Sequence, residues 1–250
     1  MRRTIWLMQL GFFVLCSIFG LVAKAEDRAL VLTGFEAPPY LYLDASGVPT
    51  GLLVDIVRGA SEESGVPVKF LVTSWPRAQL ETERGRADLI FPVVYTKERE
   101  AWLEYPIDPI TQFEMMIFAH KDAPFSFSGD ASDLHGMTIG KIANGRMHPN
   151  FRALEESGKA TVEGRESIEE LLRGSQLRRL DAFVAPYLLT IWTANNLGIS
   201  AVKEFQDPIG VSDIFLALSK KSANADLWER FQPHLPSLRS AERKFIAELR

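Results

Sequence analysis

The stretch from Ser74 to Glu100, SWPRAQLETERGRADLIFPVVYTKERE, decides the fold. Pro76 falls in the first turn of a helical segment and Gly85 just past its end, which brackets a helix over Pro76–Arg84. Ala87–Val94 follows as an apolar run short enough for a strand buried on both faces. The run then breaks into a polar turn, Tyr95-Thr96-Lys97-Glu98-Arg99, and a helix is expected over Thr96–Leu103. A helix feeding a buried strand is the repeating unit of a parallel α/β sheet.

The same alternation runs outward in both directions. Upstream, Ala29–Phe35 reads as a strand and Asp44-Ala45-Ser46-Gly47 as a turn. Leu52, Leu53, Ile56, Val57 and Ala60 form one face of a helix that Gly65 ends, and Val66–Thr73 is a strand. Downstream, Phe113–His120 reads as a long strand, 121–133 as a loop, and Met137–Ile142 as a strand with a helix after Asn144-Gly145. Ser167-Ile168-Glu169-Glu170 is a capping box opening another helix. Asp181–Val184, Ala201–Phe205 and Ile214–Ser219 read as strands, Tyr187–Asn195 as a helix, and helices fill the C-terminus. GRADLIFP (Gly85–Pro92) echoes RRLDAFVAP (Arg178–Pro186). Each follows a helix, puts an Asp at the start of a strand and closes on a Pro, which suggests two similar α/β lobes.

Residues 1–25 read as a targeting segment. Arg2 and Arg3 precede the apolar run Ile5–Val22, and Ala23-Lys24-Ala25 supplies a small-x-small site. The expectation is a signal peptide cleaved after Ala25 and a periplasmic mature chain. The alternative is a retained anchor, because a run of about 18 residues is borderline for a span. Cys16 follows the bulky Leu15, unlike a lipid-attachment site. Cleavage takes the net charge from −4 to −7 and removes the only cysteine. The mature chain then has no disulfide and no thiolate metal site. Its acidic balance argues against nucleic acid as a partner, and roughly 225 residues are enough to bury a core without staples.

No GxSxG, Walker A, GxGxxG or HExxH motif is present, and His120, His135, His148 and His234 are scattered. No catalytic residue, metal or cofactor is expected. The turn after Ala87–Val94 carries the chemistry instead. Tyr95 and Thr96 sit at the carboxyl end of a buried strand, where open α/β sheets form their ligand crevice. Thr96 is a good helix cap. Lys97 and Arg99 in a first helical turn would oppose the helix dipole at a cost of about 0.3–1 kcal/mol, which an incoming anion would reverse. The competing reading is that Glu98 and Glu100 neutralise the basic pair in solvent.

Order and spacing add a resemblance. Pro39-Tyr40, Asp44–Gly47, Gly51–Asp55, Trp75, Gly85–Asp88 and Thr96–Arg99 follow in sequence, and LHGMTIGK (Leu134–Lys141) comes later. Together they resemble the periplasmic solute-binding proteins of the polar-amino-acid transport type, bacterial solute-binding protein family 3. The resemblance implies an α/β fold of two lobes, each a mostly parallel sheet flanked by helices, joined by two crossing strands. It implies a signal peptide at 1–25, lobe 1 at 26–115 and 214–250, and lobe 2 at 116–213. Phe113–Phe118 and Val211–Leu216 are the expected hinge strands. It also implies that Arg99 clamps a ligand carboxylate, with Trp75 and Tyr40 either as cleft walls or as core. Arg77, Tyr95, Thr96, Arg146 and Tyr187 complete the ligand-binding candidates, Arg146 being equally readable as a solvated loop residue.

Three positions depart from the family pattern. Pro92, Val93 and Val94 replace small hydroxyl residues, Arg146 follows Asn144-Gly145 where a threonine is usual, and Pro186 stands where an acid would hold an α-ammonium. An unpaired buried ammonium is costly, so the expected ligand is a small carboxylate-bearing solute, amino-acid-like or an organic anion, and not an ordinary α-amino acid read in the usual way. The expected partners are a membrane transporter permease or a sensor, and the expected state is a monomer. The alternatives are a sensing module without transport, or an enzyme of the cyclohexadienyl or arogenate dehydratase type on the same scaffold, for which Glu36 and Asp213 are the acids near the cleft.

Overall fold

The computed structural model describes residues 28–143, 148–200 and 202–249. The targeting segment with Cys16, the Ala25 cleavage site and Arg146 lie outside the described residues. Lobe 1 is built on three parallel strands: β1 (Leu30–Gly34), β4 (Val68–Val72) and β5 (Leu89–Val93), in the order β4-β1-β5. A short hairpin, β2 (Tyr42–Leu43) with β3 (Pro49–Thr50), sits on the way to the first helix, α1 (Leu52–Ser64). Leu53, Val54, Val57 and Ala60 bury one face of α1, and Gly65 ends it in the left-handed region at φ 67°. Helix α2 (Trp75–Glu83) leads into β5, whose five residues are all buried.

The expected helix over Thr96–Leu103 does not form. A single 3-10 turn at Arg99–Ala101 leads instead into β6 (Leu103–Glu104), which pairs with Leu218 and Ser219. Leu103 is fully buried there. Tertiary capture of one apolar side chain at a sheet edge outweighs a weak local helical tendency.

Two strands carry the chain between lobes. β7 (Thr111–His120) and β12 (Gly210–Ser219) pair antiparallel over Thr111–Met115 and Gly210–Ile214. Beyond that ladder, β12 continues beside β5 over Phe215–Leu218, and β7 continues beside β10 (Ala182–Pro186) over Met115–Ala119. The expected crossing segments lie within these strands, β12 beginning four residues earlier than the strand expected at Ile214. Lobe 2 repeats the parallel pattern with β8 (Thr138–Ile142), β9 (Thr161–Arg165) and β10, while β11 (Val202–Glu204) pairs with the end of β7. β9 was not expected. Its sequence, TVEGR, has one large apolar residue, and pairing with β8 along its whole length defines it.

The echo between the lobes has a physical basis. Asp88, just before β5, accepts a hydrogen bond from the Val31 N–H of the neighbouring parallel strand at 2.8 Å. Asp181, just before β10, accepts one from the Thr138 N–H at 2.8 Å. Each carboxylate pins the start of its strand to the next.

Lobe 2 has helices α3 (Pro149–Ser157), α4 (Ile168–Gln176) and α5 (Tyr187–Asn196), and the chain returns through α6 (Ala225–Phe231) and α7 (Arg239–Leu249). Ser167 caps α4 by accepting from the Glu170 N–H at 3.2 Å, and the Glu170 carboxylate reaches back to the Glu166 N–H. Leu188 and Leu189, at the start of α5, bury themselves in the lobe 1 core with Phe113, Ile214 and Leu216. At about 1.5–3 kcal/mol for a fully buried leucine, this seam contributes to holding the two lobes together. The Tyr42 and Trp192 rings meet across the same seam at 5.2 Å. Among the described residues, no helix is long and apolar enough to cross a membrane.

Candidate functional site

The carboxyl ends of β1, β4 and β5 converge on one edge of lobe 1. Gly34 makes that convergence close: a Cβ there would lie 1.9 Å from the Phe91 carbonyl oxygen, so only glycine fits. The next residue, Phe35, meets Trp75 edge-on with centroids 5.5 Å apart, and the Arg99 guanidinium lies 5.1 Å from the Trp75 ring centroid. Arg99 Nη1 also donates to the Val94 carbonyl at 3.1 Å, and the Tyr105 hydroxyl donates to the same oxygen at 3.2 Å. A cation–π contact and a backbone acceptor thus fix the guanidinium at the strand ends. Its fork geometry suits a carboxylate bidentately.

The rest of the charged turn behaves differently. Lys97 pairs with Glu100 at 2.6 Å, and the Tyr95 hydroxyl donates to the same carboxylate at 3.0 Å. These bonds, Lys97 first, hold the Glu100 carboxyl below its usual range, while the bond to Glu100 raises the Lys97 ammonium and the Tyr95 hydroxyl above theirs. The solvated reading therefore holds for Lys97 and Glu100, while Arg99 turns inward. Thr96 is 5% exposed and accepts from the Arg99 N–H at 3.2 Å, so it shapes the turn. With a single 3-10 turn here, the helix-dipole contribution expected from the sequence falls away, and the guanidinium with its aromatic face remains.

The other expected residues separate from this cluster. Arg77 is exposed and paired with Glu81 at 2.5 Å, one helical turn on. Glu81, itself buried, also takes the Arg86 side chain at 2.5 and 2.9 Å, and these cations, Arg86 first, hold its carboxyl below the usual range. Tyr95 is 51% exposed with its ring edge-on to Tyr105. Tyr40, read as a cleft wall or as core, is 2% exposed. It packs against Phe91 and Phe113, with the Glu242 carboxylate near its hydroxyl. Burial, reinforced by the charges of Glu242 and Glu114, pushes its hydroxyl far above the ordinary range. Tyr187 starts α5, packed against core clusters of both lobes. Phe35, which meets Trp75, was not among the expected residues. Its position as the last residue of the expected strand Ala29–Phe35 was the available signal.

The acids considered for catalysis are engaged in structural bonds. Glu36 accepts from the Leu43 N–H at 3.4 Å, and Asp213 accepts from the Gln112 side chain at 2.7 Å. Among the described residues, no group of three or more His, Cys, Asp or Glu side chains could hold a metal ion.

A separate cavity of about 260 Å³ opens at the crossing strands, between Tyr40, Thr111–Glu114, the start of α5 and one face of α7. The Thr111 hydroxyl donates to Glu242 at 2.5 Å, and Arg239 donates to Gln112 at 2.6 Å, tying α7 to β7.

Several solved structures share this fold. A histidine kinase sensor domain with similarity to periplasmic binding proteins superposes with a TM-score of 0.71 at 22% identity, covering 86% of this chain and 92% of that one. Holo ArgBP from T. maritima gives 0.65 at 19% identity, covering 86% and 91%. An ancestral amino acid-binding protein, a precursor of cyclohexadienyl dehydratase, gives 0.64 at 20% identity, covering 86% and 91%. No curated protein sequence matches the chain closely enough to count as a relative. The profile of the bacterial extracellular solute-binding proteins, family 3, matches residues 30–250, nearly the whole described chain, and the protein belongs to that family.

Proposed function

We propose that the mature chain binds a small carboxylate-bearing solute between its two lobes, with Arg99 as the carboxylate clamp and Trp75 and Phe35 as the apolar wall. The observation that carries this reading is the guanidinium fixed 5.1 Å over Trp75 at the carboxyl edge of the lobe 1 sheet. The division into lobe 1 at 26–115 and 214–250 and lobe 2 at 116–213 belongs to the same proposal, with closure by rotation about β7 and β12. So do cleavage after Ala25, a periplasmic location, a monomeric state, and delivery of the solute to a transporter permease or a sensor. The sensor alternative draws support from the likeness to a histidine kinase sensor domain. No catalytic step is proposed, since Glu36 and Asp213 are held in structural bonds.

Pro186 is half-buried at the start of α5 and carries no charge to meet an α-ammonium, which favours a ligand recognised by its carboxylate alone. The test is calorimetric titration of the mature chain with mono- and dicarboxylates. Arg99→Ala is expected to lose about 2–5 kcal/mol of binding, roughly thirtyfold to several thousandfold in affinity, without a change in fold by circular dichroism. Unchanged affinity would remove Arg99 from the site. Hydrolytic or dehydrating turnover of a cyclic acid would replace binding with catalysis.

A further inference from the structure

The cavity at the crossing strands has a charge arrangement that the Arg99 site does not use. Its floor is already engaged, since Glu242 accepts from Thr111 beside the Tyr40 ring and Arg239 is bonded to Gln112. Two other charges line the same space: Glu114 on β7 and Arg243 on α7. Among the described residues, neither has a hydrogen-bond or ion-pair partner, and they do not pair with each other. The wall around them includes Phe113, Leu188 and Ile246.

One uncommitted anion and one uncommitted cation facing a single cavity with apolar walls complement a small zwitterion. A ligand of one charge would answer only one of them. We propose that this hinge cavity is a second binding site, for a small zwitterion with an apolar body. Its ammonium would meet Glu114, its carboxylate would meet Arg243 bidentately, and its body would lie against Phe113 and Leu188. The volume of about 260 Å³ limits the ligand to the size of a single apolar amino acid. Because Leu188 belongs to lobe 2 and Arg243 to the returning helix of lobe 1, an occupant touches both lobes. Its binding and the lobe arrangement then influence each other reciprocally. The site makes no use of Arg99, so it and the carboxylate clamp fail separately.

The test is titration of the mature chain with L-leucine and L-phenylalanine at millimolar concentration, beside 4-methylpentanoate and 3-methylbutylamine, which each keep one of leucine's two charges. The zwitterions are expected to bind, and each single-charge analogue to bind about tenfold more weakly or worse. Glu114→Gln and Arg243→Gln are each expected to weaken leucine binding by about tenfold. Both positions are exposed, so the variants should keep the melting temperature of the parent. Arg99→Ala is expected to leave leucine binding unchanged. Absence of zwitterion binding, binding that survives both charge removals, or binding lost in Arg99→Ala would each overturn the proposal.

Discussion

At the scale of single residues, the placement of Arg99 beside the end of a buried strand was legible because its setting is local: a buried strand, a threonine accepting from its N–H and a turn put it there whatever the rest of the chain does. The place of Trp75 at the entry to its helix was legible for the same reason. The pairing of Arg77 with Glu81 was also within reach, since Glu81 lies one helical turn away and an i,i+4 pair competes for the guanidinium. The burial of Tyr40 was not legible. An aromatic after a turn fits cleft or core equally well, and its neighbour Glu242 is far away in the chain. Glu81 gives a pH prediction at this scale. Arg86 and Arg77 depress its carboxyl, so the pairs are fully formed above the usual glutamate range and are lost as pH falls through the depressed value of the folded protein. The difference in melting temperature between the wild type and Glu81→Gln should therefore be largest near neutrality and shrink on acidification. A difference that grows in acid would mean that the pairs do not stabilise the fold.

At the scale of elements, the strands and helices were read from periodicity and punctuation, and the two misses share a cause. The 3-10 turn that replaces the expected helix after Thr96, and the unexpected β9, are both set by a neighbouring strand and not by their own residues. The repeated Asp was the better signal, because it ties one strand to the next in each lobe. The two copies differ in burial, and that difference is testable. Asp88 is 3% exposed and also accepts from Ser222 and Asn224, joining β1, β5 and the segment after β12. Asp88→Ala should cost about 2–4 kcal/mol, since it strands several buried donors. That corresponds to a fall of roughly 4–16 °C in melting temperature for a chain of this size. Asp181 is exposed and holds one N–H, so Asp181→Ala should cost about 1 kcal/mol. Equal losses in the two variants, measured by urea unfolding, would contradict this ranking.

At the scale of the whole molecule, the alternation of strands and helices pointed to parallel sheets, and the resemblance supplied the two crossing strands. What neither could supply is how the lobes meet. The burial of Leu188 and Leu189 in the lobe 1 core, and the meeting of Tyr42 with Trp192, join segments far apart in the chain through packing alone. The central claim is that a solute carboxylate is held by Arg99 at the edge of lobe 1. The most direct test is thermal unfolding of the mature chain and of Arg99→Ala against mono- and dicarboxylates that carry no ammonium group. A ligand at about 100 times its dissociation constant adds about 2.7 kcal/mol, roughly 5–10 °C for a protein of this size. At least one such carboxylate should raise the melting temperature of the wild type and leave that of Arg99→Ala where it was; an equal rise in both proteins would contradict the claim.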